Sequence, residues 1–157
     1  PSASSAASDV YKRQGQSEAI ARNLAVMSSL KTKILVVVSG EGGSGGALAL
    51  GVGDHIAILE YGTYSVASPE ACASIVWRES DKAPQAAEAM KVGANDLKKI
   101  GIVDEIISEP IGGAHQDYET ISASIKFSLL TNIAELSKFS QEELLQRRYQ
   151  RLLKIGA

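Results

Sequence analysis

The chain reads as an α/β protein, and three observations carry that reading. Ile34–Val38 is a continuous apolar, β-branched run, the pattern of a strand covered on both faces as in a parallel sheet. It runs into the glycine-rich segment Gly40–Gly46 and then directly into a short apolar helix around Ala47–Leu50. Strand-like and helix-like segments then alternate until about residue 107, as layered α/β folds require.

Taken in order, Pro1–Gln14 is rich in Ser and Ala and is read as a disordered or foreign leader, with the domain spanning 15–157. Ile20, Leu24, Met27 and Leu30 fall on one face of a helix over Ser17–Leu30, with Ser17 as its N-cap. Gly51 and Gly53 stop the helix after the glycine segment. Ile56–Glu60 and Thr63–Ala67 read as two short strands around Gly62. Ser68-Pro69-Glu70 predicts a helix start: a capping hydroxyl, a proline at the first helical position and a carboxylate at the positive end of the dipole. Pro84–Met90 and Asp96–Ile100 predict two more helices, and Ile102–Ile107 a last strand. Tyr118–Leu136 is helical in pattern, and Ser140-Gln141-Glu142-Glu143 matches a capping box that opens a basic helix through Lys154. This second half predicts a helical arm leaving the sheet. No internal sequence repeat is visible.

Composition narrows the function classes. Sixteen basic against eighteen acidic residues give a net charge of -2, which offers nucleic acid or an anionic membrane no electrostatic grip. Cys72 is the only cysteine, and with His55 and His115 it forms no metal-ligand spacing, so no metal is expected. No apolar run reaches the ~20 residues of a membrane-spanning helix.

The chemistry is expected at the glycine segment. A strand feeding a helix through glycines presents unpaired backbone N–H groups and the positive end of a dipole, and glycine permits positive φ and close approach of a ligand. Three readings meet there. A phosphate-binding loop needs Lys after the last glycine, and Ala47 stands in that place. A dinucleotide site fits the spacing Gly40-x-Gly42-x-x-Gly45, with Glu60 twenty residues on, but leaves a helix too short for a crossover. An oxyanion hole of the crotonase type fits the strand-to-helix geometry. Tight bending alone is the bland reading of such glycines.

The motifs then become specific. Gly15-Gln16-Ser17-Glu18-Ala19-Ile20-Ala21-Arg22-Asn23-Leu24 and Gly40–Ala49 come first. Tyr61, Thr63-Tyr64-Ser65-Val66, Ser68-Pro69-Glu70 and Asp81-Lys82-Ala83-Pro84 follow. Glu109-Pro110, Gly112-Gly113-Ala114-His115 and Arg147-Arg148-Tyr149-Gln150-Arg151-Leu152 complete the set. In this order they resemble the alpha-subunit family of bacterial- and plastid-type acetyl-CoA carboxylase carboxyltransferases. Members are roughly twice this long, so the resemblance is to their C-terminal part.

The resemblance implies a partial crotonase-like fold and transfer of a carboxyl group from carboxybiotin to acetyl-CoA, giving malonyl-CoA in fatty-acid synthesis. It implies biotin on a separate biotin carboxyl carrier protein, and ATP use by a separate biotin carboxylase. A beta subunit would pair as two alpha and two beta, holding the family's cysteine zinc ribbon and most contacts to CoA. The setting would be cytoplasmic, or the plastid stroma in a plant. The backbone N–H groups of Gly45, Gly46 and Ala47 are the expected oxyanion donors. Glu41, Gly42, Gly43, Ser44, Tyr61, Thr63, Tyr64 and Ser65 are expected along a carboxybiotin channel, with core packing the competing reading for Tyr64. His115 is read as a surface hydrogen-bonding residue and Cys72 as a small core hydrophobe. Arg147, Arg148, Arg151 and Lys154 are read as a solvated face or subunit contact, or as a guide for a CoA phosphate. The other function classes are a different crotonase-type acyl-CoA enzyme, for which Glu70 would be one of two needed carboxylates, and a dinucleotide-binding or non-catalytic module.

Overall fold

A computed structural model describes residues 15–155. The expected leader, residues 1–14, lies outside the described residues. The elements run α1 (Gln16–Ser29), β1 (Leu35–Val38), β2 (Glu41–Gly43), α2 (Ser44–Leu50), β3 (His55–Leu59) and β4 (Thr63–Ser65). They continue with α3 (Pro69–Val76), α4 (Ala83–Met90), α5 (Ala94–Lys99), β5 (Glu105–Ile107), α6 (Tyr118–Leu136) and α7 (Gln141–Leu153). None of the helices described is long and apolar enough to cross a membrane.

The main sheet has the order β1-β3-β5 and is parallel throughout. Its strands are apolar on both sides because both sides are covered. Side chains alternate with period two. Val36, Val38, Ile56, Ile58 and Ile106 pack with Leu97 and Val103 on one face. Val37, Ala57, Leu59 and Ile107 pack with Ile121 and Ile125 of α6 on the other. The predicted arm therefore does not leave the sheet. α6 folds back over it, since Ile121 has an apolar face to cover.

A second, small sheet pairs β2 with β4 in parallel. The chain thus repeats strand, short strand, helix as β1-β2-α2 and β3-β4-α3. The sequence hides this repeat because the equivalent segments share geometry and not residues. Two other expectations need correction. Residues 102–104 are not strand: the N–H groups of Ile102 and Val103 turn back to the Leu97 carbonyl, and β5 begins only at Glu105. Ser17 is not the cap of α1, which starts at Gly15 with φ 71 and has no side-chain cap.

The N-terminal edge of the main sheet is held by two matching polar staples. Asp54 donates its N–H to the Ile34 carbonyl and accepts the Ile34 N–H on its carboxylate at 2.8 Å. One strand over, Asp104 makes the same pair of bonds with Ile56. Each carboxylate also meets an arginine of α7. Arg148 binds both oxygens of Asp54 at 2.8 Å and donates to the carbonyls of Met27, Leu30 and Thr32. All five of its N–H donors are used, at 1% exposure. Arg151 binds Asp104 and the Ile102 carbonyl. The expectation of a solvated or phosphate-guiding Arg148 is therefore wrong: a fully paired guanidinium in the interior has no donor left to offer.

Candidate active site

The glycine segment is not one turn. Gly42 and Gly43 are extended in β2, in the register Glu41↔Thr63, Gly42↔Tyr64 and Gly43↔Ser65. This pairing brings six of the predicted site residues face to face. Gly42 is required by close approach: a Cβ there would lie 2.7 Å from Cδ2 of Tyr64. The expected use of positive φ by these glycines is not what the backbone shows. Gly40, Gly42, Gly43, Gly45 and Gly46 all avoid it, and the left-handed residue is Ser44 at φ 57. A non-glycine residue in that region is uncommon and costs about 1–3 kcal/mol. It stands between extended Gly43 and Gly45, the next residue of α2, and a left-handed residue next to a helical one is the pairing that turns successive N–H groups toward one side, as in anion-binding backbone.

α2 follows at once and its N-terminus is uncapped. Gly43 is the N-cap residue and offers no side-chain acceptor. Regular helical bonding leaves the N–H groups of Ser44, Gly45 and Gly46 without intrahelical partners. Ala47 is the first position with a carbonyl behind it, that of Gly43, so regular helical bonding uses its N–H and does not leave it as the third free donor that the sequence reading expected. A Cβ built on Gly43 or Gly46 would meet nothing within 4 Å, so open space lies beside these donors. Behind them α1 holds the helix in place: Asn23 donates to the Ala49 carbonyl, and a Cβ on Gly45 would touch Ile20 at 3.4 Å.

Gly45 opens into a largely apolar cavity of about 480 Å³, walled by Leu48, Tyr64, Val92, Leu97 and Ile102. Ser44 and Ser65 supply polar groups at its lining. A smaller cavity of about 280 Å³ lies against Gly40, Glu41 and Gly42. Tyr64 lines both, so its ring is a shared wall. Its hydroxyl donates to the Ala47 carbonyl at 3.0 Å. Burial pushes the Tyr64 phenol above its ordinary value, and the Arg151 charge offsets part of that rise. Tyr64 packs against the core cluster, as the core reading expected, and also lines both cavities.

The other predicted residues divide. Tyr61 is 59% exposed on the β3–β4 turn, and neither it nor Thr63 lines either cavity. Glu41 is exposed at the start of β2. Cys72 is half-buried and lines the larger cavity, a place the core reading did not foresee. His115 is exposed and bonds its neighbour Gln116 at 2.8 Å. Glu60, the carboxylate a dinucleotide would need, accepts the Glu109 N–H, and α2 is only seven residues long. Among the described residues no group of three His, Cys, Asp or Glu converges on a point.

Sequence reading missed the apolar wall formed by Val92, Leu97, Ile100 and Ile102. Its only local signal is a run of apolar residues that serve the core equally well. It also missed the polar cluster under α6, where one oxygen of Glu105 accepts from Ser128 at 2.8 Å and Asn132 at 2.9 Å and lies 3.0 Å from His55 Nε2.

Comparison with known proteins agrees with this geometry. Residues 5–156 match the family model described as acetyl co-enzyme A carboxylase carboxyltransferase-like. The chain is 59% identical over 145 residues to the acetyl-coenzyme A carboxylase carboxyl transferase subunit alpha of Photobacterium profundum, covering 92% of this chain and 46% of that protein. Subunits of the same name from Vibrio cholerae and Photorhabdus laumondii are 58% and 59% identical with the same coverage. The chain thus spans about half the length of the curated relatives it matches. Among solved structures it is similar to a chain of a Pseudomonas malonate decarboxylase hetero-tetramer crystallised with coenzyme A. The TM-score is 0.72 at 14% identity, covering 87% of this chain and 54% of that one. That likeness shows the fold, and the fold is the crotonase-like α/β class expected from the sequence.

Proposed function

From the premise that the chain belongs to the acetyl co-enzyme A carboxylase carboxyltransferase-like family, we propose that it is the C-terminal part of an alpha subunit that transfers a carboxyl group to acetyl-CoA. Carboxybiotin, borne by a biotin carboxyl carrier protein, would supply that carboxyl group, and malonyl-CoA would be the product. The observation that carries the reading is the uncapped start of α2 opening into the apolar cavity. A compact bicyclic ring with an apolar sulfur-containing half and a planar ureido half bearing a carbonyl oxygen suits such a site. The cavity walls remove it from water, and main-chain donors meet its oxygen.

The chain's own contribution is electrostatic. Departure of the carboxyl group would leave negative charge on the ureido oxygen, and the freed ureido nitrogen could take the proton that the acetyl carbon gives up. The N–H groups of Gly45, which lines the cavity, and of Gly46, the next residue of α2, would meet that charge at the positive end of the helix. Ala47 continues the same turn, and Ser44 fixes its direction through the left-handed backbone. Ser65 lines the larger cavity and Glu41 and Gly42 the smaller one, with Tyr64 as the partition, and Gly43 leads the chain from β2 into α2. A beta subunit, paired as two alpha and two beta, would hold the thioester oxygen of acetyl-CoA. ATP would be consumed by a separate biotin carboxylase. The cytoplasm is the expected setting.

The test is Gly46→Val in a complete alpha subunit assembled with its beta subunit. Cβ atoms at this position meet open space and φ is not positive, so a β-branched residue should cost the helix under ~1 kcal/mol. Bulk beside the donors should nevertheless lower turnover about a hundredfold or more. Carboxyl transfer to acetyl-CoA, thermal unfolding and subunit binding are read on the same samples. Normal assembly with near wild-type turnover would sink the oxyanion assignment.

A further inference from the structure

α7 has a side that the interior staple does not use. Arg147, Arg151 and Lys154 follow one another at spacings of four and three, so they form one stripe along the helix. With Gln150 and Gly101, this stripe lines a cavity of about 450 Å³ at the N-terminal edge of the main sheet. We propose that this cavity is a binding site for a small phosphate-class oxyanion. The inference does not rest on the carboxyl-transfer reading.

The charge balance points that way. Two carboxylates line the cavity, Asp54 and Asp104, and both are already committed. Asp54 is enclosed by Arg148 and the Ile34 N–H, and Asp104 by Arg151 and the Ile56 N–H. Among the described residues, no carboxylate lies within ion-pair distance of Arg147 or Lys154. Arg147 is balanced only in part, by Glu143 one turn before it on the exposed face, and Lys154 has no ion-pair partner among the described residues, so the cavity keeps an excess of positive charge. Arg147 is also held in orientation, its guanidinium 4.1 Å above the centre of the Phe139 ring.

Arg151 adds an unmet donor. Its Nη2 is held by Asp104 at 2.9 Å and by the Ile102 carbonyl at 2.8 Å. Its Nη1 is buried with no partner among the described residues. The bond from Nε to Asp104 is long, 3.4 Å. A small swing of the guanidinium that loosens this bond would turn Nη1 toward the cavity, where an oxyanion supplies the acceptor it lacks. Phosphate suits such a forked donor set because it accepts several N–H bonds at once.

The location adds a second feature. Ile100 lines both this cavity and the apolar cavity below α2. Arg151 is also near enough to act on Tyr64 electrostatically. A bound oxyanion would thus sit beside the apolar cavity. The phosphate group has two possible sources, a free phosphorylated metabolite or the phosphate end of a longer ligand.

The experiment titrates the 157-residue chain at constant ionic strength with inorganic phosphate, adenosine 3′,5′-bisphosphate and coenzyme A, with acetate as control. Amide chemical shifts of Gly101, Gln150 and Lys154 report the site. Saturable shifts at these amides with the phosphate probes, and not with acetate, are expected. The double variant Arg147→Gln/Lys154→Gln should weaken binding about tenfold or more, as loss of charge-assisted bonds implies. Tighter binding of coenzyme A than of the bisphosphate identifies the anion as the end of a longer ligand. Equal binding of all three phosphate probes identifies free phosphate. No saturable shift at these amides, or equal affinity in the variant, overturns the proposal. If the double variant unfolds early, Lys154→Gln alone decides: unchanged affinity there overturns it as well.

Discussion

The two ends of the main sheet are built from opposite materials. At the N-terminal edge the carboxylates that hold the strand ends are answered by side chains: Asp54 by Arg148, Asp104 by Arg151, and each aspartate by the backbone of the neighbouring strand. Past the C-terminal end of β1 the polar groups are main chain, and the first N–H groups of α2 are left uncapped beside open space. One end spends charged side chains on holding the layers together. The other leaves its backbone donors bare, where the proposed function puts a ligand. The difference teaches where to look for function in this fold. A buried, fully paired arginine is architecture, and bare glycine backbone at a helix start is chemistry in waiting.

This contrast can be broken first at Arg148. Arg148→Ala leaves Asp54 buried, with 2% of its side chain exposed, and without its cation. It also takes the arginine donor from three carbonyls, of which that of Met27 keeps a long bond from the Leu30 N–H. Breaking a buried pair on one side costs about 3–5 kcal/mol, so denaturant unfolding should show a loss of that order, large against the ~5–15 kcal/mol stability of a typical domain. Retention of parental stability would show that the staple is not structural. At the other end Gly46→Val should do the reverse, damaging turnover and leaving stability near the parent.

A smaller effect belongs to the wall between the cavities. Tyr64→Phe removes the hydroxyl bond to the Ala47 carbonyl, which already accepts the Gly51 N–H. The carbonyl keeps one partner, so the cost should be about 1 kcal/mol in thermal unfolding. A loss above about 3 kcal/mol would mean that Tyr64 holds α2 in place and does more than partition the cavities.

The smallest effect is one of acidity. Burial works to raise the Glu105 carboxyl, but hydrogen bonds from Ser128, His55 and Asn132 and the nearby His55 outweigh it and hold it below its ordinary 4.5. A depressed carboxylate contributes stability that is present above the unfolded value and is lost as pH falls through the folded one. Acid titration of unfolding should therefore show a decline below about pH 4.5 that Glu105→Gln makes shallower. Parallel curves for parent and variant would remove Glu105 from the account.

Much of the framework was legible because its signals are local. Ser68 caps α3 through the Ala71 N–H with Pro69 in the first turn. Ser140 and Glu143 form the reciprocal capping box of α7. Tyr118–Leu136 is helical over its whole predicted span. The glycine donors were legible in part: the strand-to-helix position was readable, but β2 was not, because glycine carries no strand signal of its own and takes its register from β4. Ser44 as the left-handed residue runs against propensity, which favours the glycines beside it. Arg148 looked like one more charge on a basic helix because its partner Asp54 is 94 residues away. Nothing within a helical window distinguishes it from Arg147.

The Arg148 staple also sets an order of events during synthesis. Its acceptors belong to residues 27–54, and its only donor is Arg148. At roughly 5–20 residues per second, the 94 residues between Asp54 and Arg148 take on the order of 5–20 s to make. For that interval the sheet edge is polar, unlatched and dependent on water. The nascent chain can collapse around β1 and β3, but it cannot close. α7 acts as a bolt that is thrown only after the other elements described here have been translated. A ribosome that stalls before Arg148 would therefore release a chain that has its glycine donors in sequence and no means of locking the layer that positions them.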